Sequence, residues 1–364
     1  MNQPPRKRPR IEMEEEIILS NNDDAHLQRE LDLLKTEVES VKAPLASKSE
    51  DGVGVLYAPT YRAVLAQHGY LARQTLGSGS YSKVKFAQQI GGRRERVAVK
   101  IVDRLKAPKD FQQRFLPREL HIWPLLKHQN IVNMYEYFTD NRRVYMILEY
   151  AEKGDVLRFI QKNGALTEEM AKLWAQQVCD AINFLHDQDI AHRDLKLENL
   201  LLDSGFNIKL CDFGFVKGDC VNDLSKTYCG SKSYAAPEIL KGEPYDAKEA
   251  DVWALGVIIY IFVTGKMPFD ESRGNKGVLE EHKKLDFPWH RLKRISKECK
   301  ELINFIFQFD FRERPCVKAV NGHHWFKTRN VLLTESQRGP QRPPPADALA
   351  RADPDVNDPA RVHR

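Results

Sequence analysis

Long apolar runs are scarce in this sequence. The stretch that most resembles a membrane span, Val252 to Val263 (VWALGVIIYIFV), has twelve residues, where a spanning helix takes about 20. It follows the charged run KEAD and ends at Thr264-Gly265-Lys266. That context suits a helix buried on all sides in a large core, so no membrane segment is expected. A secretory leader is also lacking, because the opening MNQPPRKRPRIEMEEE has no apolar core. The six cysteines (Cys179, Cys211, Cys220, Cys229, Cys299, Cys316) include no CxxC pair and no framework spacing. They read as free thiols of a reducing compartment, which puts the chain in the cytoplasm. Charge of one sign is in short supply as well. Lys and Arg number 56 against 51 Asp and Glu, and a net +5 over 364 residues does not indicate a nucleic-acid partner.

What is present falls into three stretches. Residues 1–69 form an extension in which Arg6, Lys7, Arg8 and Arg10 sit among prolines and Glu12 and Glu14 to Glu16 reverse the charge. The basic cluster has the composition of a nuclear-import signal and equally that of a solvated terminus. Within residues 24–42, Leu27, Leu31, Leu34, Val38 and Val41 recur at coiled-coil spacing for about two heptads. The repeat suits either a short amphipathic helix on its own domain or a surface for self-association or partner docking. The rest of this extension is expected to lack order. Residues 70–327 are dense in structure signals. Strand-like runs come first (Val84 to Ala87, Val97 to Val102, Ile131 to Phe138, Val144 to Leu148), and helical patterns follow. The clearest helix starts after Thr167, a plausible N-cap, with Ala171, Trp174, Ala175, Val178, Ile182 and Leu185 on one face. Strands followed by helices predict an α+β protein, a sheet lobe over about 70–148 and a helical lobe over about 152–327. Residues 328–364 are rich in Pro and Ala and read as disordered.

The chemistry is concentrated in a few short strings. Gly77-Ser78-Gly79-Ser80-Tyr81-Ser82-Lys83-Val84 lies between two strand-like segments, where glycines let backbone N–H groups approach phosphate oxygens. A Rossmann site would continue as a helix, whereas Val84-Lys85-Phe86-Ala87 continues as a strand and so forms a hairpin over nucleotide. Alone, the same glycines would serve a flexible turn. Lys100 ends the apolar run Val97-Ala98-Val99-Lys100 and needs a partner to be buried. Glu119 is the available one, although the lysine could also reach solvent. His192-Arg193-Asp194-Leu195-Lys196-Leu197-Glu198-Asn199 is followed by Asp212-Phe213-Gly214. Phosphoryl transfer needs an oriented hydroxyl, a held metal and an offset for developing charge. Asp194 suits the first, Asn199 and Asp212 are hard oxygen ligands for Mg²⁺, and Lys196 can neutralise the γ-phosphate.

Together these strings resemble the eukaryotic protein kinases over about residues 70–327. Ala235-Ala236-Pro237-Glu238, Asp251-Val252-Trp253-Ala254-Leu255-Gly256 and Arg314 follow in that family's order. The resemblance implies a two-lobed kinase fold that uses ATP and Mg²⁺ on protein substrates. It places Leu76, Val84 and Ala98 around adenine, with the backbone of Glu149-Tyr150-Ala151 as the adenine-binding hinge and Leu148 as gatekeeper. Arg314 is expected to pair with Glu238. Lys196 and Ser231 point to serine/threonine specificity, Thr227 matches an activation-loop phosphosite that Arg193 would bind, and Asp155 and Glu198 stand where related kinases recognise a substrate arginine. The runs Phe115 to Glu119, Phe206 to Leu210 and Ser225 to Ser231 look most like the testis-specific serine kinases, which implies a role in sperm development. Three departures stand out: Ser82 in place of a third glycine, Trp123 where kinases carry a smaller apolar residue, and the long N-terminal extension. The alternatives are a pseudokinase scaffold, which would typically lose Lys100, Asp194 or Asp212, and a small-molecule phosphotransferase, which has no need of the peptide platform from Thr227 to Glu238.

Overall fold

The computed structural model describes residues 60–91, 96–216, 232–290 and 294–327, with Leu292 and four isolated helical positions, Arg29, Asp32, Leu33 and Thr36. The heptad positions from Leu27 to Val41, the cluster Arg6 to Arg10, Cys220, Cys229, Thr227 and Ser231 lie outside the described residues. Two compact units emerge: residues up to Lys109 with Met134–Tyr150, and Asp110–Asn133 with the residues from Ala151 onward. Among the described residues no helix is long and apolar enough to cross a membrane. Cys179, Cys211, Cys299 and Cys316 are all free thiols, and burial pushes Cys179 and Cys299 well above the usual range.

The first unit is a five-stranded antiparallel sheet with strand order β1-β2-β3-β5-β4. Its strands are β1 (Tyr70–Ser78), β2 (Ser82–Gln89), β3 (Arg96–Asp103), β4 (Met134–Thr139) and β5 (Arg143–Glu149). β4 starts three residues later than the apolar run from Ile131 suggests, because the backbone N–H of Val132 is already bonded to the carbonyl of Leu210 in the other unit's hairpin. In the ladders Val84 stands opposite Lys100, Lys100 opposite Met146, and Ala98 opposite both Phe86 and Leu148. Alternation along each strand puts these six on one face. Lys83, Lys85, Val99, Ile101, Tyr145 and Ile147 take the other. Against this second face lies helix α1 (Tyr61–Gln67), capped by the Thr60 hydroxyl, which accepts from the Ala63 N–H at 3.2 Å. Val64 and Leu65 of α1 share a core with Ala87, Val97, Val99, Ile101, Tyr145 and Ile147. Burying side chains of this size contributes about 1.5–3 kcal/mol each. The end of the extension, from Thr60, is therefore part of the folded unit.

The second unit is helical. α2 (Leu116–Ile122) is preceded by one wide turn over Phe111–Phe115 and followed by a tight one over Trp123–Leu125. α3 (Val156–Asn163) leads to α4 (Glu168–His186), capped by Thr167 as predicted and burying the whole predicted apolar face. A small hairpin pairs β6 (Leu200–Leu202) with β7 (Ile208–Leu210). After α5 (Pro237–Lys241), α6 (Ala247–Thr264) carries the long apolar run and is buried around nearly its full circumference. Gly256 makes this packing possible. A Cβ there would come within 2.6 Å of Ile306 and 3.0 Å of Phe307, at the end of α8 (Lys297–Ile306), which follows α7 (Gly274–Lys284). The segment 110–133 belongs to this unit and not to the sheet lobe assigned from sequence. Trp123 accounts for much of that: it is fully buried, its Nε1 donates to the Val132 carbonyl at 2.7 Å, and its ring lies 5.0 Å from Phe213. Asn130 adds a bond to the Ile208 carbonyl at 3.0 Å.

Candidate active site

In the sheet unit, the glycine string is the turn between β1 and β2. Gly77 pairs with Val84 and Ser78 with Lys83, while the Gly79 N–H donates to the Ser82 carbonyl at 2.9 Å. Ser80 and Tyr81 form the tip. The Ser82 hydroxyl sits 3.3 Å from where a Cβ on Gly79 would be, so the residue replacing the third glycine folds back onto the turn. At Gly77 a Cβ would meet no protein atom within 4 Å. No crowding inside the protein explains that glycine, and the open space suits the close approach of a ligand. Val84, Ala98 and Lys100 share the face opposite α1, as an adenine and phosphate surface requires, and Leu76 precedes Gly77 on β1. Lys83 contributes backbone to this turn while its side chain lies on the α1 face. Glu149 pairs with Val97 and so also points to the α1 side, which leaves its backbone for the hinge role.

In the helical unit, the string from His192 to Asn199 is held by buried charge. Asp251 of α6, 1% exposed, accepts from the backbone N–H groups of His192 and Arg193, both at 2.8 Å, and lies 3.0 Å from His186 Nε2. Arg193 takes a left-handed backbone (φ +70°), and its guanidinium donates to the Tyr245 hydroxyl at 3.0 Å. The Asp194 carboxylate is thereby presented at a fixed place. Lys196 Nζ is 2.7 Å from its Oδ2, and Asn199 Nδ2 donates to the same oxygen at 3.1 Å and to the Asp194 carbonyl at 2.8 Å. With its nitrogen so engaged, the Asn199 amide turns its oxygen the other way. The β6–β7 ladder then brings the chain back: the Cys211 N–H donates to the Asn199 carbonyl at 2.9 Å, and Asp212 follows with φ +67°. Two non-glycine residues in the left-handed region within one site are the kind of strain that surrounding structure must hold in place.

Phe213 is fully buried between Trp123 and His192, whose ring centroids lie 5.0 and 5.2 Å away. Glu119 of α2 is fully buried too, with its Oε2 3.6 Å from the position of a Cβ on Gly214. Among the described residues no three His, Cys, Asp or Glu form a dedicated metal cage. A donor set of one carboxylate, Asp212, and one amide oxygen, Asn199, suits Mg²⁺, which keeps water and phosphate oxygens as its other ligands.

The remaining predicted residues are scattered. Asp155 caps α3, accepting from the Arg158 N–H at 2.8 Å, and Glu198 is exposed on the turn Leu197–Asn199. Ala151 opens the second unit. The sequence reading passed over Asp251 and Tyr245 as site residues. An aspartate inside an otherwise apolar helix was a usable signal, since a buried charge implies donors around it; Tyr245 offered none. The expected pair is present: Arg314 meets Glu238 through two bonds of 2.9 and 3.1 Å, with both side chains almost completely buried.

Residues 70–326 match the family model described as protein kinase domain. The chain is 47% identical over 277 residues to testis-specific serine/threonine-protein kinase 2 of Mus musculus, covering 73% of this chain and 75% of that one. It is 42% identical to testis-specific serine/threonine-protein kinase 3 of Mus musculus, over 72% of this chain and 97% of the other. Probable serine/threonine-protein kinase MARK-A of Dictyostelium discoideum is 36% identical, over 73% of this chain and 25% of its own length.

Proposed function

As a member of the protein kinase family, and within it a serine/threonine kinase similar to the testis-specific group, the chain, we propose, transfers the γ-phosphoryl group of ATP to Ser or Thr hydroxyls of protein substrates in developing sperm. The observation that carries this reading is the Asp194 carboxylate, held by Lys196 and Asn199 on a loop pinned to Asp251. Asp194 accepts the proton of the attacking hydroxyl, and Lys196 offsets charge on the transferred group. Lys100 and the backbone of residues 77–84 bind the ATP phosphates, Glu119 positions Lys100, and the backbone of Glu149 and Ala151 binds adenine between Leu76, Val84 and Ala98. Asn199 and Asp212 would hold Mg²⁺, which would supply compensation for phosphate charge. Thr227 is the activating phosphosite, with Arg193 as its partner, and Ser231 lies beside the acceptor hydroxyl. The enzyme works in the cytoplasm, with the basic cluster Arg6 to Arg10 giving it access to the nucleus.

Asp194→Asn tests the core of this reading. Labelled-ATP transfer to a generic basic protein is expected to fall by about 10²–10⁴-fold, the usual worth of a general base. Equal transfer by both proteins ends the enzyme reading. Phosphosite mapping of the same material with and without ATP checks Thr227. Asp155 and Glu198 make an arginine three residues before the target favourable, and a peptide array with no such preference removes that assignment.

A further inference from the structure

α1 covers only part of the sheet face on which it packs. It begins at Tyr61, and beyond it the face opens into a cavity of about 250 Å³. Ile101 of β3, Tyr61 at the start of α1 and residues 79–82 of the turn are among the residues that line it. The walls are tied together, since the Asp103 N–H donates to the Tyr81 carbonyl at 2.8 Å and the Lys106 N–H to the Asp103 carbonyl at 3.1 Å. The cavity is thus formed by backbone hydrogen bonds before anything enters it.

Its charge is one-sided. Five cations, Lys83, Lys85, Lys106, Arg142 and Arg143, line it, against Asp103 alone. Arg142 already neutralises that aspartate through contacts of 2.6 to 3.1 Å, and Arg143 is paired with Asp140 at 3.5 Å. Three lysines remain. Lys83 and Lys106 are exposed and have no carboxylate partner among the described residues. Lys85 is 9% exposed, and its ammonium has a hydroxyl and a ring for company: Thr75 Oγ1 at 2.6 Å and the Tyr61 ring at 5.7 Å. Burial alone would raise the Tyr61 hydroxyl, yet Arg62 and Lys85 hold it below the usual tyrosine value, a sign of the positive field here. A nearly buried ammonium with no counter-charge among the described residues is costly to keep in place.

We propose that this cavity is a docking site for a phosphorylated serine or threonine on a peptide of another protein. A phosphoryl group carries close to two negative charges and three acceptor oxygens, which matches three lysines lining one cavity better than a single carboxylate does. The cavity is several times the roughly 30 Å³ of a water molecule. Ile101 and the Tyr61 ring offer apolar contact beside the charges, so the group arrives attached to a chain and not as a free ion. The site stands on the face opposite Val84, Ala98 and Lys100 and shares only the turn, residues 79–83, with the proposed nucleotide surface.

The test uses the full chain and fluorescence anisotropy of a short labelled peptide, phosphoserine between apolar residues, with serine and glutamate versions as controls. The phosphopeptide is expected to bind at least about tenfold more tightly than either control, and Lys85→Gln to remove most of that advantage. Lys85→Arg should keep it. Lys106→Gln, at an exposed position that cannot upset folding, should weaken phosphopeptide binding by about threefold and decides the matter if Lys85→Gln does not fold. The proposal is overturned if serine and phosphoserine peptides bind alike, or if both glutamine variants bind the phosphopeptide as wild type does. It is also overturned if inorganic phosphate displaces the label as well as unlabelled phosphopeptide, or if Lys85-dependent binding is seen with phosphatidylserine vesicles in place of the peptide.

Discussion

The two units treat buried charge in opposite ways. In the helical unit three deeply buried ions meet internal partners: Arg314 meets Glu238, Asp251 meets two backbone N–H groups and His186, and Asp194 meets Lys196 and Asn199. In the sheet unit Lys85 is nearly as buried and has a threonine hydroxyl and an aromatic ring. Internal pairing fixes geometry, which a catalytic loop needs, because a small displacement of a reacting group costs rate. A cation left without a counter-charge fixes little and keeps its attraction for an ion that arrives from outside. One unit spends its charges on shape, and the other holds them for recognition.

The largest effect should come from breaking a pair in the helical unit. Arg314→Leu leaves Glu238 buried without its guanidinium, a change that costs about 3–5 kcal/mol. For a domain of this size a calorimetric melt should fall by about 2–4 °C per kcal/mol. Removing both charges, Glu238→Leu with Arg314→Leu, should recover most of the loss, because no orphaned ion remains. If the double variant melts as low as the single one, pairing is not what matters there and the contrast between the units fails.

A smaller effect is expected from pH, through two groups in the helical unit that lack compensation. Burial among Trp253 and Phe269 lowers His282 to about 3 from 6.5. Between those values the unfolded chain binds more protons, so this contribution to stability rises with pH and is complete above 6.5. Glu249 goes the other way. Desolvation, with Asp246 adding to it, raises its carboxyl to about 7 from 4.5. The folded chain then holds the proton longer, and stability falls as pH rises through that window. The two trends oppose each other between 4.5 and 6.5. In melts from acid to mildly alkaline pH, Glu249→Gln should gain on wild type between 4.5 and about 7 and run parallel to it above, and His282→Phe should lose the decline on the acid side. A Glu249→Gln curve parallel to wild type throughout would mean that the carboxyl is not desolvated.

What the sequence disclosed follows the same division. The loop from His192 to Asn199 was legible because its chemistry is contiguous, and α4 because a cap and a long apolar face coincide at Thr167. Pairings across long separations were much less so: Asp251 reaches Arg193 across 58 residues and Arg314 reaches Glu238 across 76, and only the second was anticipated, through family order. α1 offers two turns, too few for its periodicity to stand out from the polar residues before it. The segment 110–133 reads as part of the sheet lobe until Asn130 is seen bonded to Ile208 and Trp123 packed on Phe213 in the helical unit. Lys85 illustrates the remaining gap. A lysine alternating with Val84 and Phe86 looks like an ordinary solvent-facing strand position, and only the placement of α1 and Tyr61 shows that it is buried.

That placement yields the smallest expected effect and the sharpest comparison. Lys85→Met keeps an unbranched side chain of similar length, still able to lie along Tyr61, and removes a charge that has no counter-ion among the described residues. The Thr75 and Tyr61 hydroxyls lose Lys85 as a donor, and both can turn to water. Stability should therefore change by no more than about 1 kcal/mol, with a rise more in keeping with the argument than a fall, since replacing a buried ion by an apolar group of like shape is often neutral or favourable. The melt of Lys85→Met set beside that of Arg314→Leu measures directly whether a buried cation is part of the structure or held in reserve. A loss from Lys85→Met as large as that from Arg314→Leu would mean that Lys85 has an internal role, and the cavity beside Tyr61 would then need no ligand to account for its charge.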